Sequence, residues 1–290
     1  MTYATPHALR MALEDRLRNR SAQSGISLDR LRRRVVFERI VARLEAAEPG
    51  QWVLKGGMAL EVRLGDDARL TKDLDLGLRS EIDTAVNLHE RLVEALAADR
   101  DGDGFELAAA TPQLLRADRA GHVTWRVSVA ASLAGRSFGG IRLDVSPRAH
   151  ELVATERIAL PNSLDFAGIP ASVAEIVDVH RHAAEKFHAM LRDFGSWDNT
   201  RVRDLVDLVL LVEHHLLAPG QLAEAIRRVW AERDGAEPPA ALPALPESWP
   251  ARYERLAADH GGVTPTFADA DRLIRDTWDW TFRPANDHER

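Results

Sequence analysis

Between residues 28 and 44 the apolar positions Leu28, Leu31, Val35, Val36, Ile40, Val41 and Leu44 recur at the spacing of one helix face, and Pro49-Gly50 closes the element. This predicts a helix with one buried stripe. Trp52-Val53-Leu54 then reads as a short buried strand, Gly56-Gly57 as a tight turn, and residues 58–64 as the helix that follows. In Asp73-Leu74-Asp75-Leu76 polar and apolar residues alternate with period two, the pattern of a strand with one face on the core and the other on a cleft.

Residues 84–98 form a second amphipathic helical pattern, and Asp101-Gly102-Asp103-Gly104 reads as a turn. Residues 123–129 and 141–145 read as strands, with Gly135, Gly139 and Gly140 in the connection between them. From about Ser172 the chain turns helical, through residues 180–193 and 202–217 to Pro219-Gly220. A proline-rich stretch, 236–250, precedes a last helical segment rich in Trp and acids. No internal repeat is visible. The expected class is α+β, a mixed sheet with flanking helices plus a helical C-terminal lobe. The expected organisation is an Arg-rich helical segment over 1–48, a mixed domain over 49–165, a helical lobe over 166–235, and a linker with a terminal helical segment over 236–290.

Composition narrows what such a chain can do. With 290 residues, 45% hydrophobic and 29% charged, it can bury a sizeable core. It holds no run of about 18 apolar residues, and its first residues lack the apolar stretch of a signal peptide. The cytoplasm is therefore the expected location, without membrane contact. Zero cysteines exclude disulfides, thiolate zinc sites and cysteine nucleophiles. The net charge of −7 hides a local excess, because residues 1–43 carry ten arginines against four acids. Two readings follow: solvated helix faces, or a surface that meets a phosphate backbone. Of the 38 basic residues only Lys55, Lys72 and Lys186 are lysines. In a background that accepts arginine so freely, a retained lysine points to a site that wants a compact ammonium.

The chemistry concentrates in residues 55–75. A Gly-Gly turn at a helix N-terminus exposes backbone amides, which suits a triphosphate. Asp73 and Asp75 lie two apart on a strand and so share a face. Paired carboxylates repel, and Mg²⁺, which takes oxygen ligands and is completed by phosphates and waters, relieves the repulsion. Asp144, between Leu143 and Val145, supplies a third carboxylate if its strand lies near the first, an arrangement suited to two-metal phosphoryl chemistry. Lys55 either binds phosphate or pairs with a carboxylate to hold the turn. Arg63 and Arg69 either steer a polyanion or carry solvated charge.

The stretches LKGGMALEVRL, RLTKDLDL, IRLDVS, AAEKFHAML and RVRDLVDL, in this order over roughly residues 30–215, resemble the nucleotidyltransferase superfamily and more closely the AbiEii/AbiGii-type toxins, including the mycobacterial MenT toxins. The resemblance implies a nucleotidyltransferase-type sheet in which Lys55, Gly56, Gly57, Met58, Arg69 and Lys72 surround the nucleotide. It further implies that Asp73, Asp75 and Asp144 bind Mg²⁺ or Mn²⁺, with Asp144 a ligand or general base. Lys186 would contact the triphosphate from the helical lobe, and Asp204 or Asp207 would be the late essential aspartate. The chain departs from many members at the turn, where Gly57 and Met58 stand in place of a phosphate-touching Ser. The implied activity is transfer of a nucleoside monophosphate from an NTP to an acceptor hydroxyl, with tRNA as acceptor, a cognate antitoxin as partner and a role in phage defence. Transfer to a protein or small molecule, or a catalytically silent RNA- or nucleotide-binding module, are the alternatives.

Overall fold

A computed structural model describes residues 3, 5–69, 71–115, 123–192, 198–258 and 263–283. Leu70 and Asp193 of the predicted elements, and residues 259–262 and 284–290 of the predicted terminal segment, lie outside them. The chain divides into two compact units, one of Met1–Val62 with Leu70–Val177, the other of Arg63–Arg69 with Asp178–Arg290.

The first unit holds helices α1 (Pro6–Ser24), α2 (Leu28–Ala47), the start of α3 (Gly56–Leu64) and α4 (Ala85–Ala97). Its strands are β1 (Trp52–Lys55), β2 (Asp73–Leu78), β3 (Phe105–Ala109), β4 (Gln113–Leu114), β5 (Trp125–Leu133), β6 (Arg136–Pro147), β7 (Thr155–Ala159) and β8 (Val173–Val177). They form one mixed sheet in the order β3-β5-β6-β2-β1-β8-β7, with β4 also pairing β5. β2 runs parallel to β6 and antiparallel to β1, and β1 runs parallel to β8. The class expected from the sequence is the class observed.

Period two decides which side of the central strands faces the core. Leu54, Leu74, Leu76, Leu143 and Val145 are buried in the core cluster, so the residues between them turn to the opposite face. α2 packs on β6 and β8 and also meets α1 and α4. It is consequently buried nearly all round from Val35 to Leu44, where the sequence predicts a single stripe. Its arginines are satisfied inside: Arg43 donates to the Leu96 carbonyl at 2.6 Å, the Phe105 carbonyl at 2.6 Å and Asp103 at 2.8 Å. The neighbouring charges are used similarly. Arg10 donates to the carbonyls of Leu133, Arg136 and Ser137, Arg32 forks onto Glu14, Arg34 pairs with Glu61, and Arg16 lies 3.9 Å over the Phe166 ring. The Arg-rich segment is thus chiefly internal cross-linking, and it belongs to the sheet unit rather than to a separate domain.

Other boundaries also differ from expectation. Residues 173–177 form β8 before any helix begins, because Ala174, Ile176 and Val177 are buried beside β1. The helical unit therefore starts at Asp178, not at 166, and it includes residues 236–283 instead of ending before them. Gly139 and Gly140 lie within β6; the hairpin turn is Ala134-Gly135, both at positive φ, as a two-residue type I′ turn requires.

The second unit contains α5 (Val179–Leu191), α6 (Val202–Glu213), α7 (Pro219–Asp234), α8 (Pro250–Ala258) and α9 (Phe267–Phe282). The C-terminal tryptophans are its core. Trp249 and Trp278 are fully buried, Trp278 packs edge-on against Phe187 and Trp230, and Trp249 donates to the Asn199 carbonyl at 2.6 Å. Among the described residues no helix is long and apolar enough to cross a membrane.

Within the first unit, Glu38 is 1% exposed and accepts hydrogen bonds from the Ser163 amide at 2.9 Å and its hydroxyl at 2.8 Å. Burial pushes its carboxyl up to about 7 despite Ser163 and the nearby Arg39 and Arg20. A folded value above the unfolded one means that its contribution is complete below about pH 4.5 and lost as pH rises through about 7. Glu38→Gln should therefore gain on the wild type by up to about 3 kcal/mol between those limits. Urea unfolding at pH 4.5 and pH 8 checks this, and a pH-independent difference between the two proteins refutes it.

Candidate active site

The register across the middle of the sheet sets four charged residues in one transverse row. Lys55 of β1 pairs with Asp75 of β2, Asp75 with Asp144 of β6, and Asp144 with Arg126 of β5. Adjacent strands lie about 4.8 Å apart, so the two carboxylates stand side by side on the non-core face. In the next row Asp73 pairs with Arg142, and Arg142 with Ser128. The third carboxylate that the sequence places conditionally near the first two is therefore their immediate neighbour.

Gly56, at the start of α3 and directly after Lys55, has φ of +59°, and a Cβ built there would meet Asp75 Oδ2 at 1.8 Å. The Asp75 carboxylate lies against the bare Cα of the turn. Glycine is required at position 56 on two independent grounds, the left-handed backbone and the space taken by the aspartate. The helix begins at Gly56 itself, so the predicted turn and helix are one element.

Cations already attend these carboxylates. Arg126 forks onto Asp144 with contacts of 2.8 and 2.6 Å, and Arg142 donates to Asp73 at 2.6 Å. The hydrogen bonds to Asp144 hold the Arg126 guanidinium more firmly protonated than usual; burial opposes them, and the charges of Asp144, Asp73 and Asp75 reinforce them. Three carboxylates thus act on one position as a set. As they stand their oxygens do not converge: among the described residues no three His, Asp or Glu side chains are grouped to hold a metal ion. Their chemistry nevertheless fits a hard divalent cation, since all three are carboxylates on one face and already gather positive charge. Lys55 donates to the buried Glu151 at 2.8 Å, the carboxylate pairing that was one of its two expected roles.

In the second unit, Asp178 caps α5 by accepting from the amides of His180 and Arg181, and its carboxyl is held down to about 2, first by the His180 side-chain hydrogen bond. Two turns along that helix lies the buried Lys186. Its Nζ is 2.6 Å from Asp207 Oδ2 and 3.3 Å from Asp204 Oδ1, both carboxylates coming from α6. Arg69 forks onto Asp207 with contacts of 2.6 and 2.9 Å. Burial alone would raise the Asp207 carboxyl, but Lys186 and Arg69 hold it below the ordinary range; burial alone would lower the Lys186 ammonium, but Asp207 and Asp204 keep it raised. Each of Lys186 and Asp207 thus favours the charged form of the other.

The family model for AbiEii, described as a nucleotidyl transferase AbiEii toxin of a type IV toxin–antitoxin system, matches residues 39–283. The chain belongs to the AbiEii nucleotidyltransferase toxin family. Its fold is similar to that of MenT4, a nucleotidyltransferase toxin from Mycobacterium tuberculosis H37Rv, with a TM-score of 0.61 at 18% identity over 94% of this chain and 91% of that one. JHP933 from Helicobacter pylori aligns at a TM-score of 0.43 and 20% identity, covering 72% of this chain and 78% of its own. No curated protein matches the sequence.

Set against the residues that the AbiEii resemblance singles out, the structure gathers Lys55, Gly56, Asp73, Asp75 and Asp144 on one sheet face. The Met58 side chain is 4% exposed and packs in the hydrophobic core, so any phosphate contact there would be made by its backbone. Arg69 forks onto Asp207, a fully buried carboxylate that takes more than one cation. Gly57 is buried behind Gly56, and Lys72 is exposed beside Asp73. Arg126, Arg142 and Glu151 escape the sequence reading. Arg126 sits on an alternating strand at a polar position, which was its one available signal; Arg142 stands in a matched stretch without being singled out.

Two predictions follow from this geometry. Gly56→Ala should destabilise by at least about 2 kcal/mol, whereas Gly65→Ala, also at positive φ but with nothing within 4 Å of its Cβ, should cost only about 1 kcal/mol. Thermal melts of both variants test this, and equal costs would remove the Asp75 contact from the explanation. Lys186→Met leaves Asp204 and Asp207 short of a cation and should destabilise by about 3–5 kcal/mol. Adding Asp207→Asn should return part of that loss in a denaturant titration; no recovery would sink the network as a stabilising unit.

Proposed function

We propose that this chain transfers a nucleoside monophosphate from an NTP to the 3′ end of tRNA, releasing pyrophosphate and so blocking translation. One observation supports it above the others: Asp75 is the cross-strand neighbour of Asp144 and lies directly on Gly56. Phosphate and carboxylates would then share a few ångströms, as phosphoryl transfer needs. tRNA as the acceptor, the antitoxin partner and the role in phage defence are carried by the resemblance to MenT-like toxins.

In this reading Asp73, Asp75 and Asp144 hold Mg²⁺ or Mn²⁺, which when bound activates a hydroxyl and neutralises charge on the triphosphate. The bare turn of Gly56 and Gly57 admits the phosphate chain to the backbone. The acceptor oxygen bonds to the α-phosphorus, the bond from that phosphorus to the bridging oxygen breaks, and pyrophosphate departs. Asp144 takes the hydroxyl proton. Arg126 and Arg142, released from their aspartates, are then free to meet phosphate oxygens.

The test is incubation of the protein with each α-³²P-NTP, Mg²⁺, total bacterial RNA and total protein. Label should enter tRNA, and Asp75→Asn should reduce it by about 10³-fold or more. Label in protein instead would favour the protein-acceptor reading. No label in any fraction, with RNA binding retained, would leave a silent binding module.

A further inference from the structure

Beside the carboxylate rows the sheet carries a cavity of about 490 Å³, lined by Arg33, Lys72, Ser128, Ala130, Gly140 and Arg142 among others. That is within the usual range for ligand clefts, about 300–1,000 Å³. We propose that it seats the ribose–phosphate backbone of the acceptor strand, immediately before the hydroxyl that is modified. This rests on the transferase reading above and adds to it the place and chemistry of the second substrate.

Charge comes first. Among the described residues lining the cavity none is acidic, although the chain carries −7 overall, and the cations among them come from three separate elements: α2, the segment before β2, and β6. Arg33 is the residue of the Arg-rich segment that reaches this space, while its neighbours Arg32 and Arg34 are tied to Glu14 and Glu61. Arg142 is paired with Asp73, and the convergence of Arg33 and Lys72 beside it suits a polyanion.

Shape comes second. Ser128, Ala130 and Gly140 are exposed and short, so the floor is the sheet itself. β6 also continues past the start of β2: their pairing begins at Asp73 with Arg142, leaving residues 139–141 at the cavity wall beyond the last partner. Backbone polar groups and small side chains bind a sugar–phosphate chain without reading its bases.

Position comes third. Along the sheet the glycine turn follows β1, the carboxylates occupy β2 and β6, and the cavity lies over β6, β5 and β3. In an in-line displacement the attacking and leaving oxygens lie on opposite sides of the phosphorus. With the triphosphate at the turn, the hydroxyl must arrive from the far side of the carboxylates. The cavity is on that side, and Arg142 joins it to Asp73 through a 2.6 Å contact.

The experiment uses the full chain, a 5′-fluorescent single-stranded oligoribonucleotide with a free 3′-hydroxyl, and a non-hydrolysable NTP analogue. Anisotropy gives the RNA Kd over a salt series, and calorimetry gives the analogue Kd. Arg33→Ala should weaken RNA binding about fivefold and lower the salt slope by about 0.7. Ala130→Trp, which fills the floor, should weaken RNA binding with the slope unchanged. Analogue binding should stay as in the wild type. Unchanged RNA affinity in all variants, equal loss of the analogue, or no RNA binding by the wild type each overturns the proposal. RNA that binds here but is never labelled keeps this proposal and sinks the transfer reading. RNA that is labelled equally by wild type and variants does the reverse.

Discussion

Two aspartates held opposite each other on neighbouring parallel strands, Asp75 and Asp144, constrain nearly everything around them. Like charges placed so are destabilising in a sheet, and both strands are fixed by apolar residues on the other face, so neither side chain can be turned away by a register slip without exposing Leu74, Leu76, Leu143 and Val145. The strands must therefore carry compensating cations. Arg126 supplies one from β5, Arg142 supplies another against Asp73, and Gly56 gives Asp75 room by having no side chain. The glycine turn, the carboxylates and the flanking arginines are one device, arranged by strand register.

That dependence explains what could be read from the chain in advance. The period-two strands, the glycine turn and the identity of the three aspartates are local patterns, and the structure places them together. Arg126, Arg142 and Glu151 acquire meaning only from partners far away in sequence, between 18 and 96 residues distant for the bonds they make to Asp144, Asp73 and Lys55. β8 was hidden for another reason: its five residues run almost directly into α5, and short apolar runs do not distinguish strand from helix. The Arg-rich helices mislead in the opposite direction. Ten arginines in 43 residues look like a surface for polyanions, yet Arg39 and Arg43 are almost wholly buried and bonded to acids and carbonyls. Composition reports charge, not whether the charge is already answered.

The three lysines show where the distinction between ammonium and guanidinium matters. Lys186 sits between two carboxylates in a buried space that also admits the fork of Arg69, and a second planar fork there would have to displace the first. Lys55 donates to Glu151 at the strand end just before the glycine turn. Lys72 differs from both in being exposed, so neither burial nor a tight partner explains its retention. Its place at the rim of the cavity offers a reason of another kind, an exposed point charge beside a groove with no acid among its described lining residues.

The same electrostatics bear on how the proposed metal would bind. Asp144 gives both oxygens to Arg126, and Asp73 gives one to Arg142, so a divalent cation competes with guanidinium for ligands that are already paired. Binding therefore means exchange of one cation for another, with little net gain from neutralisation alone. The driving force must come from what arrives with the ion: a triphosphate adds negative charge that both the metal and the freed arginines can answer. On the proposed reading the carboxylates would bind metal poorly by themselves and well together with nucleotide, and the arginines that guard them in its absence would be the groups that receive the phosphates in its presence.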